Sequence, residues 1–262
     1  FAVATLATPA GISGAVLLLP FQVGVLGTPS PAVTPTNLLY NVVATPGALY
    51  RYRRQGQTGG RLAVILASGT LPGVVAGSII RVELLPGAMA FDLVIAAVLI
   101  PLGAWLAVSR PPPLAAVTGS LSAEPGSGGP APPARTIPTP VLVALAAVVG
   151  CIGGIYGIGG GSILAPILIA AGRPAFDVAP AALASTFVTS VAGVVTFVIL
   201  AVHEQGSVAP DWPTGIALGL GGLAGAYTGA RIQSRLPDSA IRRIMGVLVV
   251  AIGVRYLWSG LG

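Results

Sequence analysis

The sequence lacks lysine altogether, and its 262 residues include one histidine and one cysteine. One cysteine excludes an intrachain disulfide and any metal site that needs several cysteines. Charged residues make up 8% of the chain, whereas about 25% is usual in soluble domains. Because so few charges cannot cover a water-facing surface, and 54% of the residues are hydrophobic, the composition predicts an integral membrane protein.

The same scarcity argues against catalysis. One histidine, one cysteine and scattered carboxylates provide no triad, acid–base pair or metal cluster. A phosphate-binding loop of the Gly-x-x-x-x-Gly-Lys type requires a lysine, and a dinucleotide fingerprint requires glycine where Ser162 stands. We therefore predict a protein that is not an enzyme and uses no cofactor or metal.

The positive charge is carried by arginine alone, with 13 basic residues and a net charge of +6. Most arginines lie in short loops between apolar segments, which favours orienting the chain in a bilayer over binding nucleic acid. Two arginine-rich loops are predicted to face the cytoplasm. The first holds Arg51, Arg53, Arg54 and Arg61, and the second holds Arg231, Arg235, Arg242 and Arg243.

Apolar regions of roughly membrane-spanning length fill most of the remaining sequence. They cover residues 1–26, 33–50, 62–80, 85–108, 138–171, 178–202, 212–230 and 239–260. Residues 109–139 are instead rich in proline, glycine and serine, which is typical of a flexible linker. The chain therefore divides into a first transmembrane repeat at 1–108, the linker at 109–139 and a second repeat at 140–262.

One phrase occurs in both halves. Gly157–Pro166 matches Gly11–Pro20 at five of ten positions, and each copy combines glycines with an apolar run that ends in proline. Glycines permit a turn inside a helix, so each copy predicts a membrane helix that is interrupted within the bilayer. Region 138–171 is then two shorter helices that meet near residues 153–161, and the prolines end or kink the half-helices.

Other landmarks recur in the same order. Residues 36–41 lie opposite 185–190, and the triplet Gly69, Gly73 and Gly77 lies opposite Gly221, Gly225 and Gly229. Close helix packing explains both triplets. We predict an all-α polytopic membrane protein of two tandem repeats, each opening with a broken or re-entrant helix hairpin followed by three transmembrane helices. The arginine loops favour inverted topology, with a parallel four-plus-four arrangement as the alternative.

The interrupted helices predict an anion site. A helix that begins inside the bilayer presents unpaired N–H groups and a partial positive charge. The candidate backbone positions are Gly11, Gly14, Gly157, Gly159, Gly160 and Gly161. The alternative is that these glycines only allow helices to approach closely.

Small polar side chains could add directional hydrogen bonds to the oxygens of an anion. The candidates are Ser13, Asn37, Asn41, Ser162, Ser185, Thr186 and Ser190. The alternative for each is a hydrogen bond between helices. Asp92, in an otherwise apolar segment, is a candidate coupling residue, with a position near the membrane interface as the alternative.

Gly157–Pro166, followed by Ala184-Ser185-Thr186, resembles the signature of the TauE/SafE sulfite-exporter family, and the phrase at 11–20 fits the same family. The first copy departs from the pattern because Ser13 and Ala15 replace glycines, which argues against equal roles for the two copies. The resemblance implies a multi-pass permease of the bacterial inner membrane. Its expected substrates are sulfite and related anions such as sulfoacetate, thiosulfate or sulfate.

We therefore predict a secondary transporter for a small sulfur-containing oxyanion, first of all sulfite, that works by alternating access. A gated anion channel and a membrane-embedded enzyme are the alternatives. The expected partners are the anion and the lipid bilayer, without nucleic acid, and the glycine faces also allow a homo-oligomer.

Overall fold

The computed structural model describes residues 1–29, 32–84, 138–171, 173–203 and 208–235, together with single positions at 100, 247, 250 and 254. All regular secondary structure in these residues is helical, as the composition predicts. The apolar region at 239–260, nearly all of the one at 85–108 and nearly all of the linker at 109–139 fall outside them. Asp92 and the arginines at 242 and 243 fall outside as well.

The first half opens with an interrupted helix. Helix α1 (Ala2–Ala7) continues into a short 3₁₀ helix (Thr8–Ala10), and α2 (Ala15–Gly24) follows after a turn. Two long helices, α3 (Val33–Arg54) and α4 (Gly60–Glu83), complete the described part.

The second half repeats this order. Helix α5 (Thr139–Tyr156) stops at a glycine turn, and α6 (Gly160–Ala170) begins after it. The predicted break within 138–171 is therefore confirmed. Two long helices follow, α7 (Ala175–His203) and α8 (Trp212–Gln233).

Of the two roles predicted for Pro20 and Pro166, that of ending the half-helices is wrong, and a kink at either proline stays a prediction. Helix α2 continues through Pro20 to Gly24, and α6 continues through Pro166 to Ala170. Proline is tolerated inside membrane helices because neighbouring groups can take up the backbone carbonyl that it leaves free.

Three of the described helices are long and apolar enough to cross a membrane: Gly60–Glu83, Thr139–Tyr156 and Ala175–Val202. Two further helices of 22 residues, α3 and α8, carry more polar side chains. Most of the polar side chains of α3 are buried. A polar residue on an apolar helix that faces protein rather than lipid is the common pattern in transport proteins.

Glycines let α4 pack closely along α5. A Cβ at Gly69 would lie 2.7 Å from the Cβ of Ala146, and Cβ atoms at Gly73 and Gly77 would overlap backbone oxygens of α5. The packing role predicted for this triplet is confirmed. In the second triplet, Cβ atoms at Gly225 and Gly229 would overlap the carbonyl oxygens of Phe1 and Thr5. Among the described residues a Cβ at Gly221 would meet one atom, at 3.6 Å, so the packing of the described helices does not require that glycine.

Contacts between the long helices set their relative directions. Near the start of α3, Thr36 Oγ1 accepts a hydrogen bond of 2.9 Å from the amide of Asp211, just before α8. Near their ends, Tyr50 stacks on Tyr227 with ring centroids 6.4 Å apart. Helices α3 and α8 are therefore parallel, and their arginine-bearing ends lie side by side.

Helix α3 runs antiparallel to its counterpart α7. Leu38, near the start of α3, lies against Gly193 in the second half of α7, and Gly59, after α3, lies against Ala181 near the start of α7. Counterpart helices of the two halves thus point in opposite directions. The bond between Thr70 Oγ1 and Ser185 Oγ, 2.9 Å long, joins α4 to α7 in the same bundle.

Candidate functional site

The two breaks share one backbone conformation. Gly11 and Gly157 both end their helices in the left-handed region, with φ of 74° and 72°. A Cβ at Gly157 would overlap the backbone oxygen of Thr34, and a Cβ at Gly11 would lie 2.8 Å from Cα of Ala179. Glycine is therefore needed at both positions for two reasons. The backbone has a positive φ, and backbone atoms of a neighbouring helix lie where a Cβ would be.

Asn41 joins the two breaks. Its Oδ1 accepts a hydrogen bond from the Ser13 hydroxyl, and its Nδ2 donates to the carbonyl of Gly157 at 3.3 Å. Asn41 and Ser13 are buried. One amide side chain from α3 thus holds the first interruption against the second.

A second link runs through Ser162, in the first turn of α6. Its Oγ accepts a hydrogen bond of 3.2 Å from the amide of Ser13 and lies 3.3 Å from Thr186 Oγ1. Four of the predicted side chains, those of Ser13, Asn41, Ser162 and Thr186, therefore form one buried network. We refer to this network, with the residues of the two breaks, as the central cluster.

The start of α6 has features that suit an anion. No side chain caps it, and its N-cap residue Gly159 has a φ of 72°. A Cβ at Gly159 would lie 2.8 Å from Cγ2 of Thr186 and 3.2 Å from the hydroxyl of Ser190. Ser190 is buried, and its Oγ has no hydrogen-bond partner among the described residues. A buried hydroxyl without a partner beside an uncapped helix start is a polar environment that a ligand could complete.

The other predicted residues have structural partners. Asn37 lies in the first half, where its Oδ1 accepts from Gln22 at 3.1 Å and its Nδ2 donates to the carbonyl of Ala15 at 3.1 Å. Ser185 bonds to Thr70 instead of to the central cluster. For these two side chains the geometry favours the alternative interpretation, hydrogen bonding between helices.

The predicted glycines also pack closely. A Cβ at Gly160 would lie 2.6 Å from Cβ of Thr70, a Cβ at Gly161 would overlap the carbonyl of Ala182, and a Cβ at Gly14 would overlap the hydroxyl of Tyr40. Packing and ligand binding do not exclude each other here, because a glycine that admits a neighbouring helix also leaves its own N–H unshielded.

The sequence interpretation missed several buried polar residues. Gln22, Thr70, Arg81 and Gln233 are all buried, although the side chain of each is polar or charged. Arg81 lies two residues before the end of α4, just beyond the apolar region at 62–80. Its spacing of four residues from Gly77 was the available signal, since it places both residues on the face that packs inward.

A separate cavity of about 440 Å³ lies at the edge of the bundle. It is lined by the loop at 56–60, by the polar side chains of Arg173 and Asp177 and by Phe176. None of the residues of the central cluster borders it. Arg173 lies just before α7, and Asp177 lies in the first turn of α7.

One known protein family matches nearly the whole chain. A sequence model of the sulfite exporter TauE/SafE family matches residues 1–256. The chain belongs to the TauE/SafE family. It is thus a multi-pass membrane protein, and the family resemblance predicted from the glycine phrases is confirmed.

Two curated relatives have similar sequences. The probable membrane transporter protein YunE of Bacillus subtilis (strain 168) is 32% identical over 123 residues, which is 46% of this chain and 42% of the relative. A probable membrane transporter protein of Xylella fastidiosa (strain 9a5c) is 29% identical over 118 residues, which is 44% of this chain and 42% of the relative. The match thus spans about two fifths of each relative's length. No solved structure matches the chain.

Proposed function

We propose that this TauE/SafE protein is a secondary transporter of the bacterial inner membrane that moves a small sulfur-containing oxyanion, first of all sulfite. The observation that carries the proposal is the buried hydroxyl of Ser190, which has no hydrogen-bond partner among the described residues and lies beside the start of α6, where no described side chain forms a cap. The family description and the names of the two relatives support transport across a membrane.

The start of α6 favours an anion over a cation or a neutral solute. The first N–H groups of a helix have no partner within it and carry a partial positive charge. Gly160 and Gly161 place no side chain between these groups and a ligand. Ser162, Thr186 and Ser190 add hydroxyl groups, which can donate to the oxygens of a tetrahedral or pyramidal oxyanion.

The directions of the helices support a carrier over a channel. Counterpart helices α3 and α7 are antiparallel, as expected for inverted repeats, and such repeats commonly alternate access by rocking one half against the other. In this proposal the substrate lies between the halves, and the Asn41 link opens and closes with each cycle. Inverted topology remains a prediction that these contacts support.

The test compares two buried serines, neither of which has a side-chain hydrogen-bond partner within the described part of the chain. Ser190→Ala removes the hydroxyl beside the start of α6, and Ser78→Ala removes a hydroxyl in α4. Thr70 is the residue of α4 that lies against Gly160 at the start of α6. Ser78 lies eight residues after Thr70, which is about 12 Å further along α4. Neither change breaks a described hydrogen bond, so both variants should fold. Binding of sulfite, sulfate, thiosulfate and acetate to the purified protein is measured by calorimetry.

We expect wild-type protein and Ser78→Ala to bind sulfite in preference to acetate. Ser190→Ala should bind sulfite about 10-fold more weakly or worse, because a hydrogen bond to a charged group contributes about 1.5–3 kcal/mol. If wild type, Ser78→Ala and Ser190→Ala all bound sulfite with equal affinity, Ser190 would not be part of the binding site. A wild-type preference for acetate, or for none of the four anions, would refute the sulfur-anion assignment.

A further inference from the structure

The cavity at the edge of the bundle has one wall from each half of the chain. The first wall is the loop at 56–60, which leads into α4, and the second is the segment at 173–180, at the start of α7. Gly59 lies against the second wall, because a Cβ there would lie 2.7 Å from Cα of Ala181. Its volume of about 440 Å³ is within the range of small-molecule sites, about 300–1,000 Å³. The cavity is therefore large enough for a small ligand that contacts both halves.

The length of α7 places this cavity among the lipid headgroups. Asp177 lies in the first turn of α7, whose apolar span Ala175–Val202 has 28 residues. A helix of that length extends for about 42 Å, whereas the hydrocarbon core of a bilayer is about 30 Å thick and its headgroup regions add about 10–15 Å. The ends of the span therefore lie in the headgroup regions. Phe176, which also lines the cavity, is 50% exposed and offers an apolar surface to acyl chains.

One set of groups in the cavity donates hydrogen bonds to an anion. Helix α4 begins at Gly60 without a described side chain as its cap, and its N-cap residue Gly59 has a φ of 70°. The first N–H groups of a helix have no partner within it and carry a partial positive charge. Arg173 adds a guanidinium, whose side chain has no hydrogen bond or ion pair within the described part of the chain. A helix start and an arginine together suit a phosphate group.

A second set of groups accepts hydrogen bonds. Gln57 Oε1 is buried and has no hydrogen-bond partner among the described residues. The carboxylate of Asp177 forms no side-chain hydrogen bond or ion pair with those residues, although the charge of Arg173 acts on it. These oxygens favour a ligand group that donates hydrogen bonds, and the negative charge of Asp177 favours a donor that is a cation. A primary ammonium group, with three N–H donors, meets both conditions.

We propose that this cavity binds the phosphoethanolamine headgroup of a membrane phospholipid. The start of α4 and Arg173 contact the phosphate, and Gln57 and Asp177 contact the ammonium group. The acyl chains extend past Phe176 into the bilayer, so that one lipid joins the first half to the second. The inference does not depend on the proposed transport function, because none of the residues of the central cluster borders the cavity.

The experiment compares three phospholipids with identical acyl chains. Phosphatidylethanolamine has a primary ammonium group, phosphatidylcholine has a quaternary ammonium group without N–H donors, and phosphatidylglycerol has no cation. Lipid-free protein in detergent is titrated with each lipid, bound lipid is counted by native mass spectrometry, and thermal unfolding is followed in parallel. We expect phosphatidylethanolamine to bind about 10-fold more tightly than the other two, because its ammonium alone donates charge-assisted hydrogen bonds to Gln57 and Asp177.

Three variants locate the site on the protein. Asp177→Asn should remove most of the preference for phosphatidylethanolamine over phosphatidylcholine. Arg173→Gln should weaken both lipids about 10-fold, because it removes a contact to the phosphate that they share. Arg53→Gln is the matched control, since Arg53 is an exposed arginine near the end of α3 that does not line the cavity. This variant should bind all three lipids as the wild type does.

Equal affinity of the wild type for phosphatidylethanolamine and phosphatidylcholine, or tighter binding of phosphatidylglycerol, would overturn the proposal, and this comparison needs no variant. An unchanged preference in Asp177→Asn would also overturn it, as would a loss in Arg53→Gln as large as that in Arg173→Gln. Glycerophosphoethanolamine, the water-soluble headgroup, separates a lipid from a free phosphodiester. We expect it to bind at least about 10-fold more weakly than the lipid because it has no acyl chains, and equal binding would overturn the lipid as the source of the headgroup.

Discussion

The two broken helices have the same backbone turn but different polar surroundings. At the first break, Ser13 Oγ accepts a hydrogen bond of 3.2 Å from the amide of Ala15, and the neutral Gln233 holds the preceding carbonyl. At the second break, no described side chain caps α6, and Arg81 donates to Thr34, whose hydroxyl donates to the carbonyl of Ile155. The two halves therefore share the same backbone turn. The polar groups that a ligand could contact, namely the first N–H groups of α6 and the hydroxyl of Ser190, lie in the second half.

The first prediction concerns the glycine turn that the two breaks share. Gly157→Ala and Gly11→Ala should each lower the free energy of unfolding by about 3 kcal/mol or more, because a left-handed non-glycine residue costs about 1–2 kcal/mol and a forced overlap costs about as much again. Thermal unfolding in detergent measures the loss. Equal losses at both positions would confirm that the turns are equivalent.

Gly27→Ala is the matched control for this pair. Gly27 has a φ of 64°, but no atom of the described residues lies within 4 Å of the position its Cβ would take. Gly27→Ala should therefore lower the free energy of unfolding only through backbone strain, by about 1 kcal/mol. If Gly27→Ala were as damaging as Gly157→Ala, close approach at the two breaks would not matter.

The second test compares two asparagines of α3. Asn41→Ala and Asn37→Ala each remove two buried hydrogen bonds, and each should lower the free energy of unfolding by about 1–2 kcal/mol. Only Asn41 joins the first break to the second. We therefore expect Asn41→Ala to weaken sulfite binding about 10-fold and Asn37→Ala to leave it near the wild-type value.

Calorimetry with both variants checks this difference. Weakened binding in Asn37→Ala alone would reverse our assignment and restore Asn37 as a ligand. Unchanged binding in Asn41→Ala would show that the link between the breaks does not shape the site.

The smallest expected effect concerns the glycine triplets. Gly221→Ala should be neutral or should raise the free energy of unfolding by up to about 1 kcal/mol, because alanine favours a helix over glycine and the new Cβ meets only ordinary contact. Gly69→Ala should lower it by about 1–2 kcal/mol, because its Cβ would lie 2.7 Å from that of Ala146. Opposite shifts in melting temperature are the expected result, and shifts of the same sign would contradict it.

Local signals in the sequence were sufficient to predict that the fold is all-helical and that the chain breaks between α5 and α6. Gly157 and Gly159 stand in an apolar run too long for one helix, and both adopt a positive φ. The partners of individual side chains were not predictable in this way. Asn37 and Asn41 have the same spacing signal, yet one contacts Gln22 and the other contacts residues of both breaks, which depends on tertiary packing.

Arg81 shows a different limit. A charge at the end of an apolar run is usually a solvated end of a membrane helix, and that general rule is correct for the exposed Arg53 and Arg54. At Arg81 it fails because α4 continues past the apolar region and turns the arginine toward α3. The four-residue spacing from Gly77 was visible in the sequence, but only the fold shows that it turns Arg81 toward the protein interior.

The central cluster consists of hydroxyl groups, one carboxamide and backbone amides. None of these groups gains or loses a proton over the physiological pH range. The electric charge of this part of the protein is therefore constant while the acidity of either compartment changes. Among the described residues of the central cluster, therefore, acidity acts on binding through the protonation of the oxyanion itself, which alters the charge of the ligand and leaves that of the cluster unchanged.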